Sequence, residues 1–340
     1  MRPQSDCYEY KNMHMRKIIL DTDPGGDDIF ALLWIQSLHC QGLTELVAVT
    51  TAEGNVAASR TFASASQVLG LGHLAHIALG RGVGVTTHET EDAAHIHGLD
   101  GMGNLSCTLA PPSHRYDTAP FSDDLIIDQL QAHPGEITLI AIGPLTNLAA
   151  AETKHPGILR LAKEVVVMGG AMHCRGNITS HAEFNIWFNP MAAATVFNSR
   201  NDSVVIPMDV TTQLVFTPDM ARLATRSAPQ SLLAVFIQQL CEFMVGTALG
   251  YRETDGARGF LVHDAATLAY LFYPETLLLR RSHLQVETQG TFTRGQTLID
   301  RRHRAKVEAN AWVAMQVDVQ GLFSSFIEDL NALVHHLAQE

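Results

Sequence analysis

The sequence predicts an α/β fold: one large, Rossmann-like domain with a mainly parallel central sheet flanked by helices. Short apolar runs of strand length alternate along the chain with amphipathic segments of helix length. Repeated strand–helix units impose right-handed crossovers and therefore parallel strands. The 340 residues, 46% of them hydrophobic, suffice for one large core, and no repeat, low-complexity linker or composition shift divides them.

The elements follow in order. Lys17–Leu20 reads as a buried strand that ends in acids, and Asp27 to Gln41 has helical spacing through Ile29, Leu32, Leu33 and Ile35. Leu46–Thr51 is the next strand, Val56–Leu71 an Ala- and Ser-rich helix, and His76–Gly80 a third strand. Residues 81–120 lose periodicity and are rich in Gly, His and Pro, which predicts a long functional loop. A helix is expected over Asp123–His133 and a strand over Ile137–Ile142, with Pro144 as the first residue of the following helix. Glu164–Met168 is a strand, 171–188 an irregular stretch, Asn189-Pro190 a helix start and Ser203–Met208 a strand. Beyond Thr217 the chain reads as helical to Arg252. Late short strands are expected near 277–288, 297–302 and 310–318, and a C-terminal helix over about 321–338. Residues 1–15 read as a disordered N-terminal extension to a single domain over 16–340.

Bulk composition excludes several classes. The net charge of -12 argues against nucleic-acid partners, and the basic run 301–306 lacks interleaved aromatic residues, so it reads as a solvated turn between strands. Five scattered cysteines without a CxxC pair argue against a disulfide framework or structural zinc. The polar N-terminus lacks an apolar secretory core, and no apolar stretch is expected to reach membrane-span length. These features give no membrane partner and a cytoplasmic location as expectations.

The most informative segment is Asp21-Thr22-Asp23-Pro24-Gly25-Gly26-Asp27-Asp28. Like charges this close raise one another's pKa unless compensated, and hard oxygen donors suit Ca2+ or Mg2+. The Pro-Gly-Gly turn aims the acids, and a following helix N-terminus favours anions. A single Asp here reads as a helix cap; four in this arrangement do not. An EF-hand loop lacks its preceding helix and its bidentate glutamate here. A haloacid-dehalogenase-like phosphatase pattern needs Thr or Val where Gly25 stands.

This segment resembles the DxDPGxDD signature of the inosine–uridine-preferring nucleoside hydrolase family. Further matches follow in order over about residues 16 to 335: Thr50–Asn55, His95–Asn104, Gly143–Ala149, then Met168–Gly170 with Gly176-Asn177 and Glu183-Phe184-Asn185, and His263-Asp264. The resemblance implies Ca2+ held by Asp23, Asp28, the carbonyl of Ile142 and Asp264. It implies hydrolysis of the N-glycosidic bond of ribonucleosides to ribose and free base, through an oxocarbenium-like transition state. Asp23 would take a proton from the water on the cation, and His263 would protonate the departing base. Asp27, Asn55, Asn177, Glu183 and Asn185 match ribose contacts. Asp27 and Asp264 would hold the 2′- and 3′-hydroxyls, and Glu183 and Asn185 the 3′- and 5′-side. Asp21 would orient the other acids.

His97 lies where the irregular loop would close over the base. A histidine at both 97 and 263 is more typical of members acting on pyrimidine nucleosides, or on both kinds. Trp34, Trp187 and Trp312 read as packing residues rather than a stacking platform, so the expectation is pyrimidine or mixed specificity. Tyr251 is a candidate cover for the base, and Glu53 stands where the family is often apolar. The family implies a homodimer or homotetramer serving nucleoside salvage. Two alternatives share the same residues: hydrolysis of another N-riboside such as nicotinamide riboside, and non-catalytic binding of a nucleoside or metal on the same fold.

Overall fold

The structure, a computed structural model, describes residues 15–85, 92–300, 302 and 307–339. Residues 1–14 of the expected extension, Cys7 and most of the basic run lie outside them. Arg302 of that run is described and pairs with Asp300 at 2.6 Å.

The strands are β1 (Arg16–Thr22), β2 (Thr44–Thr51), β3 (Ala78–Gly80), β4 (Ile137–Ala141), β5 (Glu164–Met168), β6 (Ser203–Ile206), β7 (Val215–Phe216), β8 (Phe260–Leu261), β9 (Leu277–Ser282), β10 (Leu284–Val286), β11 (Thr297–Ile299) and β12 (Ala311–Val317). Eight form one sheet in the order β3-β2-β1-β4-β5-β6-β12-β9. All neighbours are parallel except β12 and β9. β7 with β8 and β10 with β11 form two antiparallel ribbons.

Both faces of a parallel sheet must be covered, which is why its strands read as unbroken apolar runs. Ile18, Leu20, Val49, Ile140 and Val166 face one core, shared with the helices Gly26–Cys40, Ala58–Leu71, Leu232–Tyr251, Ala265–Phe272 and Val319–Leu337. Ile19, Ala48, Leu139, Val165 and Val167 face the other, under the helices Ser122–Ala132, Thr146–Lys154 and Pro190–Ser199. The sheet order reverses at β1, whose neighbours are β2 and β4. That switch opens a crevice at the strands' carboxyl ends, where open α/β sheets bind ligands.

Several expectations need correction. The helix after β4 starts at Thr146, because Pro144 is spent in a tight turn whose carbonyl accepts from the Thr146 N–H at 2.8 Å. The 81–120 loop contains a short helix, Ala94–His97, and the 171–188 stretch contains Phe184–Phe188. β6 stops at Ile206, and Met208 opens a helical turn, Met208–Thr211. The 277–288 segment divides between the main sheet and a ribbon. The helix Ala265–Phe272 has no counterpart among the expected elements. One segment does reach span length: Leu232–Tyr251, 20 residues, is long and apolar enough to cross a membrane by length and composition, though half of its most apolar stretch is buried inside the protein. Its Phe236, Ile237, Leu240 and Met244 pack into the larger core. The four described cysteines, Cys40, Cys107, Cys174 and Cys241, form no disulfide.

Candidate active site

The site grows from the carboxyl end of β1. Asp21 pairs in register with Thr50 of β2 and Ala141 of β4. Its Oδ1 accepts from Thr50 Oγ1 at 2.6 Å and Asn147 Nδ2 at 2.8 Å, while its buried Oδ2 has no protein partner. Burial pushes its pKa up to about 7, partly opposed by those two hydrogen bonds. Asp21 has no hydrogen bond to the other acids, and its influence on them is through its charge, which adds to the upward push on Asp23.

Asp23 is sealed in. Its Oδ2 accepts from the Asn55 N–H at 2.7 Å, and its Oδ1 is buried without a partner. Two glycines make room for it. A Cβ on Gly54 would stand 2.1 Å from Oδ2, and one on Gly143 would stand 2.3 Å from Oδ1. Asp28 is fixed from four sides. Its Oδ1 accepts from Thr22 Oγ1 at 2.6 Å and the Asp23 N–H at 3.2 Å. Its Oδ2 accepts from the Gly25 N–H and Asn55 Nδ2, each at 3.1 Å.

Asp264 arrives at the start of the helix Ala265–Phe272 and is 2% exposed. Carboxylate oxygens of Asp27, Asp28 and Asp264 lie within 4.8 Å of one another. Burial, and then their neighbours' charges, hold Asp23 and Asp264 well above the usual carboxylate range and push Asp27 up to about 8. The partners of Asp23 and Asp28 are backbone N–H groups, a threonine hydroxyl and an amide, none of which carries a neutralising charge. A divalent cation would relieve both the repulsion and the orphaned oxygen, and the all-oxygen donor set suits a hard ion. The residues present therefore fit one.

Of the four expected ligands, Asp28 and Asp264 belong to the close trio, together with Asp27. Asp23 is outside that trio but near enough for the charges of Asp28 and Asp27 to act on it, and it is held by the Asn55 N–H. The Ile142 carbonyl follows β4 and accepts from Asn185 Nδ2 at 2.8 Å, which leaves its second lone pair.

The other expected contacts divide. Glu183 is 2% exposed and caps the helix Phe184–Phe188, accepting from Asn185 N, Ile186 N and Gly170 N. Asn185 bridges the carbonyls of Ile142 and Met168. Asn177 accepts from the Phe184 N–H at 2.9 Å, so it holds the loop rather than the acid cluster. His263 Nδ1 pairs with Thr211 Oγ1 at 2.7 Å, and burial pulls its pKa down to about 4. His97 is 9% exposed, and its Nδ1 accepts from the Gly26 N–H at 2.9 Å. Burial, followed by the nearby His95 and His263, holds its pKa down to about 4. Tyr251 is 54% exposed and meets the His95 ring edge-on at 5.2 Å. Trp34 is core, its Nε1 donating to Asp329; Trp187 and Trp312 lie under Arg294 and Arg281.

Sequence reasoning missed Thr211 and Asn147 as partners. Asn147 sits within the Gly143–Ala149 motif, and the pairing of the strands that carry that motif and Asp21 was the available signal. Thr211 sits in a short helical turn that carries no spacing cue.

Fold and site together define a doubly wound α/β protein whose switch point carries an acid cluster able to hold a cation. Residues 18–324 match the family model of inosine-uridine preferring nucleoside hydrolases. The non-specific ribonucleoside hydrolase RihC of Klebsiella pneumoniae (strain 342) is 36% identical over 306 residues, 89% of this chain and 94% of that one. The probable uridine nucleosidase 1 of Oryza sativa subsp. japonica is 32% identical over 332 residues, 94% of this chain and 98% of that one. Among solved structures, a purine-preferring ribonucleoside hydrolase from Gardnerella vaginalis superposes with a TM-score of 0.85 at 25% identity, covering 94% of this chain and all 100% of that one. The chain belongs to the inosine–uridine preferring nucleoside hydrolase family. It is a glycosidase acting on the N-glycosyl bond of ribonucleosides, in a metal-dependent family.

Proposed function

We propose that the chain hydrolyses ribonucleosides to ribose and free base with Ca2+ as its cation, and that it accepts pyrimidine or both kinds of nucleoside. The convergence of Asp27, Asp28 and Asp264 within 4.8 Å, beside the unpartnered Oδ1 of Asp23, carries the reading. Asp23, Asp28, Asp264 and the Ile142 carbonyl would hold the ion. When bound, it supplies Lewis-acid polarisation of the hydrolytic water.

The chain's own groups do the rest. Asp23 Oδ2 is committed to Asn55, so Oδ1 is the oxygen left to accept the proton of the attacking water. Water adds to C1′ as the C1′–N bond breaks, its electron pair leaving with the base. Asp27 and Asp264 hold the ribose diol, and Asn55, Asn177, Glu183 and Asn185 shape the rest of the sugar site. Burial holds the His263 pKa down to about 4 in the free chain, so to act as the acid the ring must first take up a proton when negative charge builds beside it in the complex. The imidazolium then passes that proton to the departing base and returns to the neutral ring. The pair His97 and His263, and tryptophans engaged elsewhere, support pyrimidine or mixed specificity. The relative named non-specific and the one named a uridine nucleosidase point the same way. Nucleoside salvage, a cytoplasmic location and a homodimer or homotetramer complete the proposal.

The test is ribose release from inosine, adenosine, guanosine, uridine and cytidine, with and without EDTA, for the wild type and Asp23→Ala. Release that both chelation and the substitution abolish supports the reading, and the ranking fixes specificity. No release from any of the five, with cation binding intact, turns the reading toward another N-riboside or a binding role.

A further inference from the structure

The acid turn is held from outside by a residue far along the chain. Gly26 opens the helix Gly26–Cys40, so its N–H has no intrahelical acceptor. It donates instead to His97 Nδ1 at 2.9 Å, across 71 residues of sequence. The imidazole lies close over the turn: a Cβ on Gly25 would stand 2.7 Å from His97 Nδ1 and 2.6 Å from Asn55 Nδ2. Asn55 closes the circuit. Its Nδ2 donates to Asp28 Oδ2 at 3.1 Å and to the Asp23 carbonyl at 3.0 Å. Its own carbonyl accepts from the N–H of Ala93, the residue that precedes the His97 helix, at 2.8 Å. The Gly103 N–H binds the His97 carbonyl at 2.8 Å, fixing the far side of that helix.

We infer that His97 is a positioning residue of the cation-binding turn: it sets Asp27 and Asp28 through the Gly26 N–H, with Asn55 as the second jaw. The inference rests on the cation reading proposed above. It differs from the sequence expectation that His97 meets the base. Because Nδ1 accepts, the neutral ring carries its proton on Nε2. Removing the ring leaves a buried main-chain N–H without an acceptor and frees the turn that aims two carboxylates.

Two substitutions separate the nitrogens. An Asn side chain places an oxygen near the position of Nδ1, and a Gln side chain reaches toward that of Nε2. The full-length protein is stripped of metal and titrated calorimetrically with CaCl2, after circular dichroism has shown each variant folded. His97→Asn should keep the Ca2+ affinity within about threefold, while His97→Gln and His97→Ala should lose about tenfold or more, the size of an unsatisfied buried donor. Equal affinity in all three, with KM changing from base to base, would overturn the positioning role and restore a base contact. Equal weakening in Asn and Gln would also overturn it. A wild type that binds no Ca2+ would overturn this inference and the proposed function together, a pattern distinct from either.

Discussion

Gly54→Ala and Gly143→Ala press on the proposed general base from opposite sides. The added methyl would lie 2.1 Å from Asp23 Oδ2 in the first variant and 2.3 Å from Oδ1 in the second, where real Cβ atoms essentially never approach closer than 3.0 Å. The carboxylate, or the strand end that bears it, must therefore give way by about 0.9 Å (3.0 − 2.1) or about 0.7 Å (3.0 − 2.3). Neither glycine has the positive φ that would penalise alanine for backbone reasons. A misplacement of about 1 Å at a reacting group costs on the order of 100-fold. Each variant should thus lose about two orders of magnitude in kcat/KM for ribose release, with far-UV circular dichroism unchanged. Gly70→Ala is the control. It lies in the helix Ala58–Leu71 with nothing within 4 Å of its added Cβ, and should keep full activity while gaining roughly 0.5–1 kcal/mol. Wild-type kcat/KM in both Gly54→Ala and Gly143→Ala would refute the placement of Asp23 at the chemistry.

Three further outcomes follow from the same geometry. In cation-free protein, Asp21 and Asp27 titrate at about 7 and about 8, above their usual value, so the folded state holds extra protons and loses stability as pH rises through that range. His97 and His263, held down to about 4, work oppositely but only below about 6.5, so between pH 6.5 and 8 the carboxyls prevail. The unfolding free energy should fall there by on the order of 1–2 kcal/mol per pH unit, lowering the melting temperature with it, and saturating Ca2+ should flatten the slope; a cation-free slope that rises would contradict this. Thr211→Val removes the hydroxyl at 2.7 Å from His263 Nδ1 and should lower kcat roughly tenfold at unchanged Ca2+ affinity, which steady-state kinetics and calorimetry would check. Asp329→Ala strips acceptors from Trp34 Nε1 at 2.7 Å, Tyr273 OH at 2.6 Å and Gln41 Nε2 at 3.0 Å, and should cost roughly 3 kcal/mol, read by urea unfolding, without touching kcat.

The sheet strands and long helices were legible because apolar period and length separate them cleanly. The acid turn was legible because four carboxylates crowded after one strand repel one another unless a cation joins them. Short elements were not. Phe184–Phe188 depends on the cap Glu183 supplies, and Ala94–His97 on tertiary anchors at Asn55 and Gly26, none of which spacing reveals. Ala265–Phe272 is an apolar run that period alone does not divide between strand and helix. Glu183, Asn177 and His97 are expected from the sequence as substrate contacts, and the structure adds that each accepts from main-chain N–H groups, a partnership that spacing does not reveal. A side chain's nearest partner is a tertiary fact, and these partners lie from 2 to 71 residues away.

The most direct test of the central claim is a titration of chelator-stripped protein with CaCl2, following ribose release from uridine and heat of binding in parallel. The acid cluster, if it works through one bound cation, gives no release from the stripped protein and full recovery at one Ca2+ per chain. Full activity in the stripped protein, or recovery that ignores the binding isotherm, would contradict it.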